Sequence, residues 1–178
     1  MANKELWDKA CIFHGHECPG LAIGVRACES AIEKLGFSSA QDEEFACVTE
    51  NDACCVDAVQ AILGCTLGKG NLVYRGTGKI AFSFFCRESG RSLRAYFKAE
   101  KPDNIDRNSY IKYILSAPID ELFDFAEPKF SAPEKARQFV SVTCEMCGEI
   151  ASEHKIRFQN GKTVCLDCFR DYDRGFVV

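Results

Sequence analysis

Lys79-Ile80-Ala81-Phe82-Ser83-Phe84-Phe85-Cys86, the break Glu88-Ser89-Gly90, and Ser92-Leu93-Arg94-Ala95-Tyr96-Phe97-Lys98 form the stretch that decides the fold. Both runs are rich in aromatic and β-favouring residues, and a turn-forming glycine separates them. A third run, Leu72–Arg75, precedes them across Gly76-Thr77-Gly78. The three together predict an antiparallel meander.

Working outward, the periodicity changes to that of helices. Leu6, Ala10 and Phe13 recur at helical spacing, so a first helix is expected over about residues 3–13. Leu21, Val25, Cys28, Ile32 and Leu35 mark one face of a second helix, with Gly36 placed as its C-terminal cap. Phe45–Glu50 reads as a short strand. Asp52 is positioned to cap a third helix that runs through Leu63 and ends at Gly64. Residues 104–115 and 119–126 also read as helical. Helices flanking an antiparallel sheet make an α+β domain. Its expected extent is 1–127, followed by a linker over 128–141 that contains Pro128 and Pro133, and a small module over 142–178.

That module carries Cys144-x-x-Cys147 and Cys165-x-x-Cys168, with seventeen residues between the pairs. Two such hooks supply the four soft ligands of a tetrahedral zinc ion, and closed four-cysteine sites are structural. Lys155–Phe158 and Lys162–Val164 flank Asn160-Gly161, a strong hairpin signal. A helix is expected to start within Leu166–Tyr172. Hook, hairpin and ligand-bearing helix look like a treble-clef zinc finger. Lys155, Arg157, Lys162, Arg170 and Arg174 are offset by Glu149, Glu153, Asp167, Asp171 and Asp173, so the charge reads as solvated surface.

The 178 residues are 47% hydrophobic and 27% charged, with a net charge of −4, a globular composition that argues against a dedicated nucleic-acid binder. Met-Ala-Asn-Lys-Glu-Leu-Trp at the start has no apolar signal core, and no apolar run reaches membrane-span length. The expectation is therefore a cytoplasmic protein without membrane attachment, its twelve cysteines reduced or metal-bound.

Two polar clusters carry chemistry. In His14-Gly15-His16-Glu17-Cys18-Pro19-Gly20, alternate residues of extended chain point the same way, so His14, His16 and Cys18 can converge on zinc or another first-row metal. Pro19 suits the first helical position and puts Cys18 near the N-cap, where the helix favours a thiolate. The plainer reading is a helix-start loop whose histidines bond backbone groups. In Asn51-Asp52-Ala53-Cys54-Cys55-Val56-Asp57, Cys54 falls in the first turn of the third helix, with Asp57 on nearly the same face. Cys55 is better placed for core packing, as are Cys11, Cys28, Cys47, Cys65 and Cys86. If both helices present their N-termini to one cleft, Cys18 and Cys54 meet there. Gly64-Cys65-Thr66-Leu67-Gly68-Lys69-Gly70 fails as a phosphate loop on spacing and reads as a turn, with Lys69 at the mouth of a site.

Taken in order, His14–Gly20, Cys54–Gln60, Gly64–Leu72 and Gly78–Phe82 resemble the FmdE family, named for a component of formylmethanofuran dehydrogenase. The resemblance covers about residues 10–100. It implies an α+β core, commonly dimeric, with a zinc finger appended in some members. It also implies an active site around His16, Cys18 and Cys54, with His14 a further member of the motif. No ferredoxin-like cysteine run is present. Three functions follow. The first is a metal- or thiolate-dependent enzyme, or an oxidoreductase accessory subunit, acting on a small-molecule substrate. There a second transition metal sits at His14, His16, Cys18 and Cys54, or Cys18 or Cys54 is a nucleophile with His16 as base. The second is a metal-handling chaperone or sensor. The third is a non-catalytic binding module that uses the finger. The homodimer expectation rests mainly on the resemblance; Phe82, Phe84 and Phe85 could support it or could fill a monomer core.

Overall fold

The computed structural model describes residues 2–37 and 39–172. The chain divides into two compact units, one ending at Ala136 and one beginning at Arg137.

In the first unit, α1 (Lys4–His14) starts where the Asn3 side chain accepts the Glu5 N–H and stops at Gly15, which is in the left-handed region. α2 (Pro19–Leu35) has Cys18 as its N-cap, Pro19 at its start and Gly36, at φ 70°, as its C-cap. Leu21, Val25 and Cys28 are fully buried, as the apolar stripe requires. The third helix is not capped by Asp52. Instead the Asn51 side-chain oxygen, one residue earlier, accepts from the Ala53 N–H at 3.1 Å and the Cys55 thiol at 3.0 Å. The helix begins as α3 (Cys55–Ala58), widens to a π-helical turn over Val59–Leu63 and ends at Gly64.

The five-stranded sheet comprises β1 (Phe45–Thr49), β2 (Leu72–Tyr74), β3 (Ala81–Cys86), β4 (Ser92–Phe97) and β5 (Phe123–Ala126), in the order β2-β1-β3-β4-β5. The expected three-strand meander is corrected at its first strand. β2 lies parallel to β1, with Cys47 opposite Leu72 and Thr49 opposite Tyr74, and β1 occupies the place beside β3. The cause is the intervening helix: β1, α3 and β2 form a crossover, and crossovers join parallel strands. The second correction concerns residues 119–126. After α4 (Arg107–Ser116), only α5 (Ile119–Leu122) is helical before the chain becomes β5, antiparallel to β4. Buried Phe123 and half-buried Phe125 alternate with exposed Asp124 and Ala126, a period of two.

The helices pack on one sheet face, where Phe82 and Phe84 are completely buried. On the other face Ala46, Val48 and Phe85 are covered by Val73 and Phe130. Phe82, Phe84 and Phe85 therefore fill this chain's own interior. The stretch after Phe130 is tied down as well. Arg87 donates to the Pro133 carbonyl at 2.7 Å, and the Glu43 carboxylate accepts the Ala136 N–H at 3.0 Å.

The second unit contains two hairpins, β6 (Ser141–Thr143) with β7 (Ile150–Ser152), and β8 (Ile156–Gln159) with β9 (Lys162–Cys165). Asn160 and Gly161 turn the latter at φ 53° and 77°, the backbone that an Asn-Gly hairpin turn needs. The helix expected to start within Leu166–Tyr172 is absent from those described residues. Instead the Cys168 and Phe169 N–H groups both bond the Cys165 carbonyl, closing a turn. Among the described residues, no helix is long and apolar enough to cross a membrane.

Candidate metal centres

Two glycines build the core site. Gly20 and Gly24 lie one turn apart on α2, on the side facing α3. A Cβ on Gly24 would sit 2.2 Å from the Cys55 carbonyl oxygen, and one on Gly20 would sit 3.2 Å from Cys54 Cβ. Only glycine permits this helix approach, which brings the N-terminal ends of α2 and α3 together. Cys18 and Cys54 meet there: both sulfurs would lie 3.9 Å from that same Gly20 Cβ. The Cys54 thiol is raised above its ordinary value, first by burial, then by its hydrogen bond to Cys18. Cys55 points the other way, into the core, where burial pushes its thiol up to about 12.

The last turn of α1 and the loop behind it supply the histidines. His14 Nδ1 lies 2.7 Å from Asp57 Oδ2, and His14 Nε2 lies 3.7 Å from Cys18 Sγ. A carboxylate accepting at Nδ1 leaves the Nε2 lone pair turned toward the cysteine. The His16 ring lies 4.4 Å from that of His14. Potential ligand atoms of His14, His16 and Cys18 all fall within 4.8 Å of one another. Cys54 adjoins Cys18 but is not in that compact set. Cys18 is buried, His14 partly so, and His16 is exposed. In tetrahedral zinc with ordinary Zn–N and Zn–S bonds, nitrogen and sulfur are about 3.6 Å apart, so the donor set and its spacing suit such an ion.

Beside these ligands opens a cleft of about 600 Å³. His14, Cys54, Asp57 and Gln60 supply its polar side, and Leu72 and Tyr74 part of its apolar wall. Gln60 donates to Asp57 Oδ1 at 3.3 Å, which steadies the carboxylate on the histidine. Lys69 does not serve the site as expected: its Nζ donates to the Ala40 carbonyl at 2.8 Å. Sequence reasoning placed Asp57 near Cys54 but missed it as the partner of His14. It also missed Gly24, whose signal is the four-residue interval from Gly20.

In the second unit the sulfurs of Cys144, Cys147, Cys165 and Cys168 lie within 4.8 Å of one another. Cys147 and Cys165 are 3.9 Å apart, close to the sulfur–sulfur edge of about 3.8 Å in a Zn–S₄ tetrahedron. Backbone N–H groups of Cys147 and Cys165 hold the Cys144 thiol down at about 6. The sulfur of Cys147, followed by burial, pushes Cys168 up to about 12. A divalent cation suits sulfurs crowded in this way. The packing around them is small: buried Cys144, Val164 and Cys165, with Ala151, Cys168 and Phe169 against them.

A family model described as "FmdE, Molybdenum formylmethanofuran dehydrogenase operon" matches residues 13–124. A second, "Prokaryotic dksA/traR C4-type zinc finger", matches residues 139–174. Among curated proteins, the chain is similar to a "Probable S-adenosyl-L-methionine-binding protein" of Archaeoglobus fulgidus. The two are 28% identical over 191 residues, covering 90% of this chain and 51% of that protein. The chain thus spans about half the length of this relative. Among solved structures it resembles an FmdE-like protein of the tungsten formylmethanofuran dehydrogenase type from Syntrophus aciditrophicus. The TM-score is 0.70 at 24% identity, covering 93% of this chain and 90% of that one. That likeness concerns the fold.

Proposed function

The chain belongs to the FmdE family and carries a C-terminal zinc-finger domain, and from that premise we propose that its core domain is a metal-dependent enzyme or enzyme accessory subunit. In this reading a divalent transition metal is held by His14, His16 and Cys18, with Cys54 beside it. The observation that carries it is the pair of contacts on His14: Asp57 at one ring nitrogen, Cys18 facing the other. A carboxylate behind a histidine is the outer shell of many metal sites. Three protein ligands, of which His14 lines the cleft, rather than four in a closed shell, fit the pattern of a catalytic site.

When bound, such an ion supplies Lewis acidity for a carbonyl-type substrate. The chain's own groups do the rest. Asp57 fixes the imidazole of His14, Cys18 holds its sulfur at the N-terminus of α2, and Leu72 and Tyr74 give the cleft an apolar wall. The cleft volume lies in the range of small-molecule sites, and the name of the Archaeoglobus relative makes S-adenosylmethionine the first compound to try. The finger holds a structural zinc, and the assembly is a homodimer.

A second reading, a metal-handling protein, draws on one feature: His16 is exposed, which favours exchange of the ion with solvent carriers. The deciding experiment is a metal inventory of the wild type and a Cys18→Ser/Cys54→Ser variant. Two metals per chain in the wild type and one in the variant support the core site; one in both removes it. Chelator kinetics then separate enzyme from carrier, since a resident cofactor outlasts a chelator that strips cargo. Sedimentation of a 19.8 kDa species at micromolar concentration would dismiss the dimer.

A further inference from the structure

On the sheet face opposite the helices, the first unit carries another cavity, of about 290 Å³, beyond the C-terminal ends of β1 and β2. Four cationic side chains line it, Arg75, Lys79, Arg94 and Lys129, against a single carboxylate, Glu50. This clustering occurs in a chain whose net charge is −4. We propose that the cavity binds the phosphate group of a small phosphorylated molecule.

The hydrogen bonds show which cations are already committed. Glu50 is almost completely buried, and its carboxylate accepts from Arg94 Nε at 2.7 Å and from the Thr77 hydroxyl at 2.8 Å. That fixes Arg94 and satisfies Glu50. Arg75, Lys79 and Lys129 form no ion pair within 4.0 Å among the described residues; Lys79 acts on Glu50 only at longer range, so most of their charge remains for a ligand. Arg75 is held in place without losing its donors. Its guanidinium lies 4.8 Å over the Phe130 ring, an arrangement that leaves the in-plane N–H groups open. The backbone beneath is tied to the end of β1: the Arg75 N–H bonds the Thr49 carbonyl, and the Gly78 N–H bonds the Glu50 carbonyl.

The excess of cations selects the ligand class. The cavity's own carboxylate is satisfied by one arginine and one hydroxyl. A carboxylate ligand would leave most of the remaining donors idle. A phosphate monoester carries close to two charges and three acceptor oxygens, which suits Arg75 as a fork and two lysines as point charges. At about 290 Å³ the cavity is larger than a phosphate group, so it leaves room for part of the molecule that carries the phosphate.

The test is calorimetric titration of the full chain at about 0.1 M salt, where charge screening is already substantial. The probes are inorganic phosphate, adenosine monophosphate and citrate. Saturable binding of phosphate or the nucleotide, weakened at least tenfold in Lys79→Gln/Lys129→Gln, is the expected result. Equal affinity for both identifies free phosphate as the ligand; tighter nucleotide binding identifies an ester. Both lysines are exposed, and unchanged metal content and melting temperature verify that the variant is folded. No binding of either probe, binding unchanged in the variant, or preference for citrate overturns the proposal. So does tighter, strongly salt-dependent binding of duplex DNA, which would mark the patch as a nucleic-acid surface.

Discussion

His14 Nδ1 lies 2.7 Å from Asp57 Oδ2, across forty-three residues of sequence. The contact couples the end of α1 to α3 and sets which nitrogen of His14 faces Cys18. Asp57→Asn keeps the shape and a hydrogen-bonding group but loses the carboxylate. Metal affinity at the core site is expected to fall about 10–100-fold, the usual cost of removing such an outer partner. Competition with a chromophoric chelator measures it. Unchanged affinity would mean that Asp57 only packs there.

The close approach of α2 and α3 makes Gly24→Ala a stability test. Alanine favours a helix by about 1 kcal/mol over glycine, but forced overpacking costs about 3 kcal/mol. The new Cβ would sit 2.2 Å from a backbone oxygen, which has no rotamer to escape into, so overpacking wins. A fall in Tm of roughly 5–10 °C is expected. Gly68, where an added Cβ meets nothing within 4 Å, is the control, and Gly68→Ala should leave Tm within about 2 °C. Equal effects at the two positions would contradict the packing argument.

Much of this is legible in the sequence because it is local. Pro19 and Gly36 bracket α2, Asn160-Gly161 turns a hairpin, and the four finger cysteines advertise themselves by spacing. The failures lie where distance in sequence matters. Nothing in Leu72–Tyr74 says that β1, rather than β3, is its neighbour; the helix between them decides. Phe123–Ala126 reads as helix because one helical turn abuts a strand of four residues, too short for either period to stand out. Asp57 is visible as a neighbour of Cys54 but not of His14, since forty-three residues separate the two and only the packing of α1 on α3 brings them together. The basic cavity leaves no signature in the sequence because its cations come from three separate segments.

Glu50 gives a pH dependence. Burial alone would raise its carboxyl, but the hydrogen bonds from Arg94 and Thr77 outweigh burial and hold it below the ordinary carboxylate value. A group with a depressed folded pKa contributes stability above its unfolded pKa, about 4.3 for glutamate, and loses it as pH falls through the folded value. Glu50→Gln should therefore cost about 1–3 kcal/mol at pH 7. The gap to wild type should close progressively below about pH 4. Urea melts at pH 7, 5, 4 and 3 test this; a gap that stays constant with pH would assign the loss to packing instead.

Removing zinc tests the second unit. The packed residues around its sulfurs are too few to offset the entropy of ordering residues 137–172 without a metal. Binding free energy is then folding free energy, and such modules unfold when stripped. Cys144→Ser removes the ligand that backbone N–H groups of Cys147 and Cys165 favour as a thiolate. One metal per chain should be lost, and protease sensitivity should appear between residues 137 and 172. The first unit has its own separate core, so its melting transition should persist, as should the metal proposed for its core site. A variant that keeps full metal content and resists protease would show that this segment folds without the ion.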